Sequence, residues 1–136
     1  MKLYVQEQPV LVKKILGIED DPLTVRMLTM MLKGTDYEFR SASDGLAGIK
    51  LATSEIPDLI FMDIHLPGLD GIEITRRMRA ITALKDVPIV ALTANVLHGD
   101  RERYEEAGFT GYMSKPITKK EVLQKLQGYL GAKQTD

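Results

Sequence analysis

The sequence predicts an open α/β fold: a parallel sheet with helices packed on both faces. Two observations carry this. Short apolar runs alternate with helical stretches five times along the chain, and the runs at 14–18 and 58–63 are nearly continuously apolar, the first followed by a carboxylate cluster and the second ending in a carboxylate. Unbroken apolar runs are what strands buried on both faces require, and strict alternation implies right-handed βαβ crossovers. The 136 residues fit one domain. It is expected over residues 10–131, after a lead-in at 1–9 and before a tail at 132–136.

The first strand is Lys14 to Ile18. Asp21-Pro22 then offers an N-cap and a first-turn proline, and apolar residues at 23, 27, 28, 30, 31 and 32 predict a helix stopping near Gly34. Tyr37 to Ala42 reads as a strand, and Asp44-Gly45 opens a helix to about Ser54, weakened by Gly48. Asp58 to Asp63 is the third strand, closed by Pro67-Gly68 before a helix from about Asp70 to Ala83. Val87 to Thr93, His98 to Ala107, Phe109 to Met113 and Thr118 to Leu130 continue as strand, helix, strand and amphipathic helix. Gly17 costs the first strand some propensity.

Composition excludes several classes. Eighteen Lys and Arg against 19 Asp and Glu give a net charge of −1, so no basic field favours direct nucleic-acid binding. The absence of cysteine excludes disulfides, thiolate zinc sites and cysteine nucleophiles. No apolar run reaches 18 residues and no signal-peptide core is present, so no membrane insertion and a cytoplasmic location are expected. Neither a G-x-G-x-x-G nor a Walker loop follows any strand, which disfavours a nucleotide or flavin module.

In open α/β sheets the ligand site lies beyond the C-terminal strand ends. Here those ends deliver Glu19-Asp20-Asp21, Asp63, Thr93-Ala94 and Ser114-Lys115-Pro116. Converging carboxylates repel unless protonated or neutralised by a cation. An all-oxygen donor set without EF-hand spacing suits Mg²⁺ retaining several waters. His65 and His98 lack helical pairing, which argues against zinc.

The ordered set Ile15-Leu16-Gly17-Ile18-Glu19-Asp20-Asp21-Pro22, Met62 to Gly71, Ala91-Leu92-Thr93-Ala94 and Gly111 to Pro116 resembles the receiver domains of two-component response regulators, from about Lys14 to Leu130. The resemblance implies the flavodoxin-like doubly wound fold with strand order 2-1-3-4-5. It implies that Asp63 is a phosphoacceptor, and that Glu19, Asp20, Asp63 and the His65 carbonyl hold Mg²⁺. Lys115 is expected to reach the transferred group, preceding a cis Pro116, and Thr93 to bond its oxygens, with small Ala94 leaving room. Tyr112 matches the switch aromatic, against the plain alternative of a half-buried strand tyrosine. His65 and Asn95 hold the positions that tune hydrolysis of the phosphoryl group, and Asp21 caps the first helix.

The implied partners are a sensor histidine kinase or histidine phosphotransfer protein and an unknown downstream protein target. The expected function is a single-domain response regulator, cell-cycle-regulator-like, with a receiver excised from a hybrid sensor kinase as the alternative. A remote alternative, an aspartyl-phosphate hydrolase, would need a second Asp where His65 stands. Leu23, Met27 and Met30, at i, i+4 and i+7, are either a docking stripe or core filling.

Overall fold

The computed structural model describes residues 12–94 and 100–131. Strands β1 (Lys13–Ile18), β2 (Tyr37–Ala42), β3 (Leu59–Asp63), β4 (Ile89–Thr93) and β5 (Gly111–Ser114) alternate with helices α1 (Pro22–Leu32), α2 (Gly45–Ser54), α3 (Gly71–Arg79), α4 (Asp100–Ala107) and α5 (Lys119–Leu130). All pairings are parallel, in the order β2-β1-β3-β4-β5. This is the flavodoxin-like arrangement.

Strand periodicity divides the core between two layers. Leu16, Ile18, Ile60, Met62, Ile89 and Ala91 face one side, packing with Ala52 of α2, Ile74 and Met78 of α3 and Tyr104 of α4. Their sequence neighbours Ile15, Leu59, Phe61, Val90 and Leu92 face the other, packing with Leu28 and Leu32 of α1 and Val122 and Leu126 of α5. Successive side chains of a strand point to opposite faces, so a continuous apolar run serves both layers. The two glycines that weaken local propensity make close packing possible. A Cβ on Gly17 would lie 2.8 Å from the Phe39 ring, and one on Gly48 2.4 Å from Ile18 Cδ1.

Side-chain caps start the helices. Asp21, Asp44, Asp70 and Thr118 accept from the N–H groups of Leu23, Ala47, Glu73 and Glu121, each worth about 1 kcal/mol.

Among the described residues, three boundaries differ most from the sequence reading. α3 stops at Arg79 and a 3-10 turn spans Thr82–Leu84. The Arg79 guanidinium donates to the carbonyls of Gly108, Leu84 and Lys85, tying that turn to the end of α4. β4 begins at Ile89 because Pro88 has no N–H to give and Val87 N–H bonds Leu84 O. β5 begins at Gly111 because Phe109 N–H is taken by Tyr104 O in the closing turn of α4. The expected helix start at His98 lies outside the described residues, as does Asn95.

On α1 the structure separates the apolar residues. Leu28 and Leu32 are buried, Met27 and Met31 pack half-buried against the core, and Leu23 and Met30 are exposed. Core filling therefore accounts for Met27, and the exposed part of the stripe is Leu23 with Met30.

Candidate functional site at the strand tips

The site is built by backbone ladders that run one residue past the strands. Glu19 N–H bonds Ala42 O, Ile64 N–H bonds Leu92 O, and Lys115 N–H bonds Thr93 O at 2.8 Å. These bonds hold the tips of β1, β3, β4 and β5 level. Glu19, Asp63 and Thr93 are 1 %, 3 % and 2 % exposed, whereas Asp20 is exposed at the rim.

Carboxylate oxygens of Glu19, Asp20 and Asp63 all lie within 4.8 Å of one another. Lys115 inserts its ammonium among them, 2.8 Å from Glu19 Oε1 and 3.6 Å from Asp63 Oδ1. Its peptide bond to Pro116 is cis, as the resemblance to receiver domains implies. Asp63 Oδ1 also accepts from His65 N–H at 3.1 Å, and Glu19 Oε2 from Asp21 N–H at 3.0 Å. Asp21 itself turns to α1, accepting from Leu23 N–H and from the Thr24 hydroxyl. Its expected capping role holds.

Burial sets the proton distribution. Burial pushes the Glu19 carboxyl up to about 7, with the Lys115 bond opposing and Asp63 adding to the rise. Burial also works against the Asp63 charge, yet hydrogen bonds from Glu19 and His65 N–H and the Lys115 ammonium hold it below its ordinary value. Burial disfavours the Lys115 charge, but Glu19 and Asp63 together leave its pKa raised. Asp63 is thus the carboxylate of the set whose charge the surroundings favour, and Glu19 the one that burial favours in its protonated form.

The donor set fits a hard divalent cation. It is all-oxygen and clustered, and among the described residues Glu19 Oε1 is buried with no hydrogen-bond partner of good geometry beside its ion pair with Lys115. Mg²⁺ bound through two or three carboxylates is the chemistry such a rim supports.

Thr93 stands beside the pocket at the end of β4. Tyr112 lies half-buried on β5 against the α2–α4 layer, with the Arg101 guanidinium 5.1 Å from its ring centroid. Two residues have roles that the sequence does not assign, Gly71 at the end of the motif Met62 to Gly71 and Tyr104. A Cβ on Gly71 would lie 2.1 Å from the Asp63 carbonyl oxygen, so only glycine lets α3 start against that strand end. The Asp70-Gly71 pair was legible as a helix start, but nothing local shows what Gly71 touches. The Tyr104 hydroxyl lies 3.4 Å from Thr93 Oγ1. Its signal was a lone aromatic in the charged run Asp100 to Ala107.

Known proteins of similar sequence and fold place the chain in a family. A Polar-differentiation response regulator DivK from Brucella anthropi is 34 % identical over 119 residues, covering 88 % of this chain and 97 % of its own length. The receiver domain of sensor histidine kinase PA1611 from Pseudomonas aeruginosa, solved with a magnesium ion coordinated in its active site cleft, is 38 % identical with a TM-score of 0.81, covering 88 % of this chain and 98 % of its own. The Vibrio cholerae chemotaxis protein CheY4 superposes with a TM-score of 0.84 at 26 % identity, covering 88 % and 99 %. Residues 15–127 match the family described as response regulator receiver domain. The chain belongs to that family, whose members are phosphoacceptor switches rather than turnover enzymes.

Proposed function

We propose that Asp63 takes a phosphoryl group from a phosphohistidine of a sensor histidine kinase or a histidine phosphotransfer protein. An Asp63 carboxylate oxygen attacks phosphorus, the new P–O bond forms as the P–N bond breaks, and the imidazole nitrogen leaves with the electron pair. The observation that carries this reading is an ionised, buried carboxylate with an ammonium 3.6 Å away and two further carboxylates beside it. Glu19, Asp20, Asp63 and the His65 carbonyl would hold Mg²⁺, which when bound offsets negative charge on the transferring oxygens. Lys115 exchanges its contact with Glu19 for a phosphoryl oxygen and stabilises charge there. Thr93 donates to another oxygen, and Tyr112, whose neighbour Arg101 sits on α4, carries the change to the surface.

The output is a change in protein contacts, read by a downstream target and not by direct nucleic-acid binding. We read the chain as a single-domain regulator acting in the cytoplasm, with residues 10–131 as the receiver unit. Support for the single-domain reading comes from the match to 97 % of the DivK length; among the described residues no helix is long and apolar enough to cross a membrane. The 38 % identity to the receiver of a sensor kinase favours the second reading, a hybrid-kinase receiver. Either way the phosphoacceptor chemistry is the same.

Incubation with Mg²⁺ and a small acyl phosphate, followed by intact-mass measurement, tests the reading. One added phosphoryl group on the wild type, absent from Asp63→Asn, is the expected result. Equal mass gain by both proteins overturns it.

A further inference from the structure

Tyr104 is the one large apolar residue of α4, whose sequence Asp-Arg-Glu-Arg-Tyr-Glu-Glu-Ala is otherwise almost wholly charged. It is 3 % exposed, its ring packs edge-on against Phe109 with centroids 5.7 Å apart, and its hydroxyl reaches Thr93 Oγ1 at 3.4 Å. Packing alone would be served by phenylalanine. A buried phenol needs a polar partner, and losing that partner costs more than the bond itself contributes. Here the partner is the hydroxyl that the proposed function uses to bond the phosphoryl group.

We propose that Tyr104 is a positioning residue that holds Thr93 in its resting orientation, so that α4 and the phosphoryl site compete for one hydroxyl. The inference rests on the phosphoacceptor reading of Asp63 and Thr93. The separation of 3.4 Å is already longer than the usual range of about 2.5–3.0 Å for an O–H···O bond, so the contact is a stretched one. Any movement of Thr93 toward the Asp63 side breaks it and leaves the Tyr104 hydroxyl unpaired inside the core. The resting state is favoured by that contact, and α4 must shift or repack when the contact is lost. This path to α4 is distinct from the one through Tyr112, because Tyr104 lies on the helix itself and touches Thr93 directly.

The test is calorimetric titration with beryllofluoride in the presence of Mg²⁺, a phosphoryl mimic for a carboxylate acceptor, on the full chain. Tyr104→Phe keeps the ring and removes the hydroxyl. It should bind the mimic about two- to tenfold more tightly than wild type, the range spanned by one hydrogen bond. In a Thr93→Val background the same substitution should change the affinity by less than about 1.5-fold, because the partner is already gone. A purely structural tyrosine would give the same shift in both backgrounds, and that result overturns the proposal. So does unchanged or weaker binding by Tyr104→Phe in the wild-type background. Wild type that fails to bind the mimic at all overturns the phosphoacceptor reading, and the Tyr104 inference falls with it.

Discussion

Glu19 gives the sharpest quantitative expectation. Its carboxyl, ordinarily near 4.5, is pushed up to about 7 by burial beside Asp63, with Lys115 offsetting only part of the rise. The folded protein therefore holds a proton on Glu19 that the unfolded chain releases, so metal-free stability falls as pH rises from about 4.5 to about 7 and levels off above that. At about 1.4 kcal/mol per pH unit the loss approaches 3 kcal/mol. For a urea dependence of about 1.5 kcal/mol per molar, the midpoint drops by roughly 2 M. The other displaced groups leave this window clear. Asp63, held below its ordinary value, adds stability that is lost only on acidification, and Lys115, raised, loses its contribution only in strong alkali. Urea titrations at pH 5, 6, 7 and 8 in chelator should show the decline in wild type and its near absence in Glu19→Gln, which has the same shape and no charge. Saturating Mg²⁺ should flatten the wild-type decline by supplying the missing counter-charge. Equal slopes in wild type and Glu19→Gln would refute the reasoning.

Gly71→Ala should cost at least about 2 kcal/mol in urea unfolding, because its Cβ meets the Asp63 carbonyl oxygen at 2.1 Å and backbone must yield. Asp21→Ala should cost about 1 kcal/mol through the lost α1 cap while phosphorylation proceeds at nearly the wild-type rate, measured by intact mass over time. Lys115→Ala should slow phosphorylation by a small acyl phosphate by about 10²-fold or more, read in the same time course. Calorimetry should show its Mg²⁺ binding retained or tightened, since the competing ammonium is gone from Glu19 and Asp63.

The fold was legible in the sequence because each apolar run had to serve two layers, and only a sheet covered on both faces asks for that. Asp63 and Lys115 were legible as residues at strand tips, where an open parallel sheet gathers its chemistry. Boundaries were less so. The end of α3 depends on Arg79 bonding carbonyls near residues 84 and 108, and the start of β5 on a turn bond from Phe109 to Tyr104. Such contacts join segments distant in sequence and leave no local pattern. The packing roles of Gly71 and Tyr104 were not legible for the same reason. A glycine after a capping aspartate and an aromatic in a charged helix each have ordinary local explanations, and only the folded chain sets them against Asp63 and Thr93. Gly17 and Gly48 show the converse, with a propensity penalty visible in sequence and its reason visible only in the packing.

The central claim is that the side chain of residue 63 carries the phosphoryl group. Borohydride reduction of the phosphorylated protein converts an aspartyl phosphate to homoserine, and peptide mass mapping then locates the converted residue. The account predicts homoserine at position 63, with Asp20 and Asp21 unmodified. Conversion at any other aspartate, or stable label that resists borohydride, would contradict it.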